Sequence, residues 1–388
     1  QFSQVESITL YLNTGTYTLQ SLAGRVDMNM SAGRPLKLAS HITTSLTAQF
    51  AEDLTARLPR VTLDGSVTLS TDSGPAVGGT LTFDQASVEM SSQSLIAQDI
   101  TATVPVRFGG MPETGGSIRI GTVQWGENKW PAIEGIARAS HQAVTLAADW
   151  PVFTGGTIRI TGDANWRKGG FAANIHAKMP SANVVDEYTL GRLMKALRGI
   201  EYTGALALDA TLAITRDHVE PVVTLNFDDA TIASPDHDAG IEGFTGTLTF
   251  DSLAPLTTYG QQVFEARLVY SGKFKVQNVE TALRIEGKNP VLIERIVANW
   301  LGGRVFTHAV RVDPADPVFN MTLFFDKLQL EQLLELITKP RDVTGSGLLY
   351  GRIPVRIDWP SIDLGDGYLY AAPGTGNNQV GTARLNSD

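Results

Sequence analysis

The sequence contains no cysteine, which excludes a disulfide framework, a thiolate metal site and a cysteine nucleophile. No segment has the roughly 18 consecutive apolar residues that a spanning helix requires. Charge is sparse: 18% of residues are charged against 43% hydrophobic, and 31 basic to 40 acidic residues leave a net charge of -9. Without a basic cluster to neutralise a phosphate backbone, nucleic acid is excluded as a partner. Catalytic signatures are missing too. There is no H-E-x-x-H and no G-K-[ST] loop, and Ser346 lacks the glycine two places earlier that a nucleophile elbow needs. Gly345-Ser346-Gly347 with Gly351 is one residue too long for the dinucleotide fingerprint, and it leads into a strand where a helix should open. His41, His141, His176, His218 and His308 stand singly. Asp236-His237-Asp238 has no second histidine at ligand spacing and reads as a solvated loop. These absences imply no metal, no cofactor and no enzyme.

What the chain does have is alternation. Val61, Leu63, Val67 and Leu69 alternate with Thr62, Asp64, Ser66, Thr68 and Ser70, and Ile100, Ala102, Val104, Val106 and Phe108 with Thr101, Thr103 and Arg107. Leu206, Leu208, Leu212 and Ile214 repeat the period. Such one-sided strands belong to antiparallel sheet with one wet face, because strands covered on both sides read as continuous apolar runs. Pro105, on the polar side, predicts an edge or a bulge. Paired glycines lead strands at Gly78-Gly79, Gly115-Gly116, Gly155-Gly156 and Gly302-Gly303, where positive φ suits a hairpin reversal or a bulge. Ser234 to Gly240 reads as a loop, Asn13 to Gly15 and Ser70 to Gly79 as turns, and the tail from Pro373 as mobile. Two helices interrupt the strands, near 184–198 and 328–338. Leu190, Leu193, Met194 and Leu197 match Leu330, Leu333, Leu334 and Ile337 at an offset of 140 (330 − 190), and Thr203-Gly204 and Thr344-Gly345 follow.

The second of these units is the clearest. Phe319, Met321, Leu323 and Phe325 form a half-buried strand, Leu330 to Ile337 an apolar helical stripe stopped by Pro340, and Leu349, Ile353, Val355 and Ile357 the apolar face of the next strand. Trp359-Pro360-Ser361 then reverses the chain. The run Leu328 to Leu334, the run Gly345 to Ile357, Asp366-Gly367-Tyr368-Leu369, Gly243 to Leu248 and Trp300 to Val305 together resemble the YdbH family of AsmA-like proteins, from about residue 171 to 374. That resemblance implies a periplasmic protein anchored in the inner membrane, whose long curved sheet carries phospholipid along an apolar groove towards the outer membrane. It also implies a small outer-membrane lipoprotein that adds strands near the C-terminus, at the edge following Tyr368 to Ala372. Because the chain opens at Gln1 in mid-strand composition, it is expected to be a fragment lacking the family's N-terminal anchor.

The apolar stripes have two readings. By default such faces fill the core of a sandwich or barrel; the family resemblance turns them towards lipid instead. The expected fold is all-β with two short helices: an elongated, strongly bent antiparallel sheet forming an apolar groove, with an N-terminal segment over 1–170 and a C-terminal one over 171–388. The candidate lipid-binding residues are Leu206, Leu208, Leu212, Ile214, Leu349, Ile353, Val355 and Ile357. Three alternatives stay open: a structural or ligand-binding surface protein with a filled core, a dicarboxylate transporter built around Arg352 and Arg356, and a carbohydrate-active protein, for which no carboxylate cluster is found.

Overall fold

The computed structural model describes residues 2–12, 15–29, 36–49, 53–70, 74–107, 111–126, 128–140, 142–153, 155–167, 170–186, 199–215, 218–287, 290–313, 318–337, 345–358 and 361–371. These form 24 strands and one short α-helix. The first six strands are β1 (Phe2–Leu12), β2 (Gly15–Asn29), β3 (Leu36–Gln49), β4 (Leu54–Ser70), β5 (Gly74–Met90) and β6 (Leu95–Arg107). Next come β7 (Gly116–Trp125), β8 (Asn128–Trp130), β9 (Ile133–Ser140), β10 (Ala143–Phe153), β11 (Gly156–Arg167) and β12 (Gly170–Asp186). They are followed by β13 (Glu201–Thr215), β14 (Val219–Ser234), β15 (Ala239–Leu253), β16 (Leu256–Thr258), β17 (Gln262–Ser271) and β18 (Phe274–Ile285). Last are β19 (Val291–Trp300), β20 (Gly303–Val312), β21 (Phe319–Gln329), α1 (Leu330–Ile337), β22 (Leu348–Asp358), β23 (Ser361–Leu364) and β24 (Tyr368–Ala371).

Two compact units share these elements. The first comprises Gln1–Ala182 with Ala207–Val223, the second Asn183–Glu187, Gly199–Leu206 and Thr224–Asp388. Within the first, β1 to β7 pair antiparallel with their sequence neighbours, as the one-sided patterns require. The β6–β7 ladder ends at Thr103↔Ser117, and beyond it β9 pairs in parallel with β6 at Val106↔Ala139 and Arg107↔Ser140. Pro105 sits at that changeover, where its missing N–H costs no bond to β7. Register shifts interrupt the strands between Gln20 and Ala23, Thr44 and Leu46, and Phe83 and Ala86, with Ser21 and Gln85 at φ 54° and 55°. Each such bulge adds an unpaired residue and bends its strand locally.

In the second unit the meander continues from β17 to β22. Both units use one further device, a partner strand broken in two. β7 is covered by β8 and β9 around Pro131, β15 by β16 and β17 around Gly260, and β22 by β23 and β24 around Gly365 to Gly367. At the last break the Gly365 N–H donates to the Pro354 carbonyl, 2.8 Å away.

Several expectations need correction. Of the helix expected near 184–198, Val184 to Asp186 finish β12, with Val184 buried and Val185 exposed, and 187–198 lie outside the described residues. Gly78-Gly79 does not reverse the chain. Both residues lie inside β5, opposite Ser66 and Gly65. Gly155 and Gly302 do occupy hairpin reversals, the latter with Leu301 at φ 47° and Gly302 at φ 70°, two successive positive values that only a turn rich in glycine takes without strain. The reversal expected at Trp359-Pro360 falls outside the described residues, although Asp358 pairs with Ser361 across it.

Candidate lipid-facing strands

The eight candidate residues lie on β13 and β22. On β13, Leu206 and Ile214 are buried, while Leu208 and Leu212 are half-buried. Leu212 and Ile214 join a cluster with Leu54 and Met90, from β4 and β5, and Phe171 and Ala173, from β12. β4 is laddered to β3 and β5, and β5 to β4 and β6, so the contact with β12 and β13 is made by side chains. The opposite side of β13 is polar: Asp209 Oδ1 lies 2.9 Å from His176 Nε2, and its Oδ2 3.8 Å from Lys178 Nζ. Leu206 belongs to the second unit and the other three to the first.

On β22 the alternation is clean. Leu349 and Ile353 pack against Val276, Val305, Phe325 and Leu328, with Trp300 and Leu323 at the margin. Val355 is only 3% exposed, and Ile357, half-buried, pairs with Phe319 and Ile362. Arg352, Arg356 and Asp358 project from the other side and are exposed. α1 follows β21 directly. Its Leu330 and Leu334 lie within reach of Gly345, and the Leu330 N–H donates to the Gly347 carbonyl at 3.0 Å.

Sequence reasoning missed an aromatic ladder in the second unit. Tyr202, Phe227, Phe244 and Phe264 succeed one another at centroid distances of 6.2, 5.2 and 5.2 Å, crossing β13, β14, β15 and β17. One aromatic per strand leaves no periodic signal; only the register brings the rings together. Tyr202 donates its hydroxyl to the Ala205 carbonyl at 3.1 Å, and burial pushes its phenol up to about 12.

The polar side is laced with cross-strand ion pairs: Arg159 with Asp149 at 3.0 Å, Arg119 with Glu134 at 3.6 Å, Arg267 with Asp229 at 3.2 Å, and Arg295 with Glu280. The Arg159 guanidinium holds the Asp149 carboxyl below its usual range. These pairs are exposed, so solvent screens them and they add little to stability. Asp236-His237-Asp238 forms an exposed turn between β14 and β15, with His237 Nδ1 3.1 Å from the Ser234 hydroxyl.

The strands described carry apolar residues on one side and charged residues on the other. The model of the YdbH-like family, described as intermembrane phospholipid transport protein YdbH, matches residues 7–382. The chain belongs to the YdbH-like family. Membership implies intermembrane phospholipid transport, a non-enzymatic activity of the bacterial cell envelope. No curated protein and no solved structure matches the chain. For this YdbH-like chain, family membership makes phospholipid the transported cargo.

Proposed function

We propose that the apolar faces of β13 and β22 form parts of a trough that holds phospholipid acyl chains as they cross the periplasm between the inner and outer membranes. The supporting observation is the half-burial of Leu208, Leu212, Leu349, Ile353 and Ile357: apolar side chains share one side of their strands, yet neighbouring side chains cover them only in part. Each exposed CH₂ of an acyl chain costs about 0.8 kcal/mol in water, so a continuous apolar surface removes most of a barrier on the order of 10 kcal/mol or more per chain. On the same reading, the edge of β23 and β24, which pairs with no further strand among the described residues, is where a small outer-membrane lipoprotein adds a strand, since an unpaired edge templates another.

A filled interior is the competing reading. It is favoured locally by the cluster of Leu54, Met90, Phe171, Ala173 and Ile214, all buried. A photo-crosslinking residue at Ile353 separates the two: the trough predicts lipid adducts there and none at Arg267, exposed on β17 and paired with Asp229. Adducts to protein alone at Ile353, in lipid-loaded membranes, would favour the filled core.

A further inference from the structure

A second feature lies on the charged side of the second unit. A cleft of about 560 Å³ is lined by His308, Asn320, Thr322, Phe324, Arg356 and Asp363, with exposed Leu364 at its border. It opens where the ladder fails. β20 pairs with β21 only from Arg304↔Asp326 to Phe306↔Phe324, so the facing backbones of His308 to Val310 and Asn320 to Thr322 lie outside that ladder. Beside this point the Thr307 hydroxyl is buried without a hydrogen-bond partner.

The charges of the cleft are unspent. Arg356 and Asp363 are direct cross-strand neighbours on β22 and β23, hence on the same side of the sheet, yet no ion pair joins them among the described residues. The comparable cleft of the first unit, about 450 Å³ and lined by Thr82, Thr101, Ser117, Arg119 and Glu134, differs on this point, because Arg119 and Glu134 are already paired at 3.6 Å. A guanidinium takes a phosphodiester through two parallel N–H bonds, and a free carboxylate takes an ammonium. Cross-strand neighbours stand about 4.5–5.5 Å apart at Cβ, so a single small headgroup can reach both side chains.

We infer that this cleft binds the zwitterionic headgroup of an aminophospholipid, with the phosphodiester on Arg356 and the ammonium on Asp363. The inference rests on the transport reading and deepens it by naming the class of phospholipid that is recognised: Asp363 lies on β23, beyond which no strand pairs among the described residues, so a lipid whose chains lie on the apolar side carries its headgroup over that edge. A dicarboxylate does not suit the site, because Asp363 would repel its second carboxylate. Phe324, stacked on Phe306 at 5.4 Å, supplies a fixed apolar wall for the headgroup carbons.

The test uses the full chain and two probes. In solution, glycerophosphoethanolamine should bind at least tenfold more tightly than glycerophosphoglycerol; Asp363→Asn should abolish that preference, and Arg356→Gln should weaken both ligands about tenfold. With vesicles of equal phosphatidylethanolamine and phosphatidylglycerol content, lipid extracted with the protein should be enriched in the ethanolamine lipid, and Asp363→Asn should return the ratio to that of the vesicle while total lipid stays constant. An unchanged ratio in Asp363→Asn, with lipid still bound, overturns the headgroup site and leaves the transport reading intact. Absence of bound lipid from every form, with the soluble headgroup still captured, overturns transport and leaves the site. Failure of the soluble probe to bind better than inorganic phosphate overturns the inference whatever the vesicles show.

Discussion

Ile353 and Val355 are two residues apart on the same side of β22, yet the first is half-buried and the second 3% exposed. A carboxylate therefore meets different surroundings at each. Ile353→Glu keeps access to water at the mouth of the proposed trough, so we expect a folded protein that no longer carries lipid. Val355→Glu buries a charge without a partner and should cost about 3 kcal/mol or more, read from urea unfolding. Asp358→Lys, exposed on the charged side, serves as the folding control. Equal destabilisation by both glutamates would remove the distinction between a trough-lining and a core position. Tyr202 makes a second prediction, in pH. Its phenol is pushed up to about 12 from an ordinary 10.0, so the native state holds the proton more tightly than the unfolded chain does. The stability this contributes is complete below about pH 10 and is lost as pH rises through the folded value near 12. Tyr202→Phe gives up the bond to the Ala205 carbonyl, about 1 kcal/mol, but removes that alkaline loss. Melting curves from pH 8 upward should show a shallower decline for Tyr202→Phe, and parallel declines would contradict the assignment.

Among the elements, β21, α1 and β22 were legible because the apolar period changes from two to three-and-four and back within forty residues, and glycine and proline mark the joints. The pairing of β6 with β9 was not, since it depends on how far β7 extends, a matter of loop geometry with no periodic trace. Nor could alternation show that Leu54 and Met90 would meet Phe171 and Ile214, because a strand pattern says which side a residue faces and nothing about what faces it. The boundary near 184 was blurred for a related reason: Val184 continues the burial alternation of β12, and a period-two pattern that ends on apolar residues blends into a helical pattern that starts on them. Gly116 tests the changeover between β7 and β9. A Cβ there would fall onto the Thr103 carbonyl oxygen and 2.6 Å from Pro105 Cδ, backbone and ring atoms that cannot rotate away. Gly116→Ala should therefore destabilise the first unit by about 1–3 kcal/mol. Gly126→Ala meets nothing within 4 Å and loses only what its φ of 57° demands, about 1 kcal/mol, so urea midpoints for the two should separate clearly.

For the whole molecule, family membership was legible from the order of weak motifs, each commonplace alone, and the matched span of 7–382 extends that reading over residues in which the motifs are faint. Transport by an apolar trough then makes a kinetic prediction that a filled core does not. Spontaneous transfer between vesicles exposes an acyl chain to water, and at about 0.8 kcal/mol per CH₂ its rate falls roughly fourfold for each methylene added to one chain. In a trough each added methylene finds an apolar side chain in place of water, so the incremental cost largely disappears. A tethered protein spanning donor and acceptor vesicles should accelerate lipids of 14, 16 and 18 carbons to similar rates, and the acceleration over the unassisted reaction should grow with chain length. Ile353→Glu should restore the steep dependence by breaking the apolar path at one point, whereas Asp363→Asn should remove the headgroup preference and leave the chain-length slope alone. If assisted transfer falls as steeply with chain length as the unassisted reaction, the acyl chains travel through water, and the apolar faces of β13 and β22 are a core.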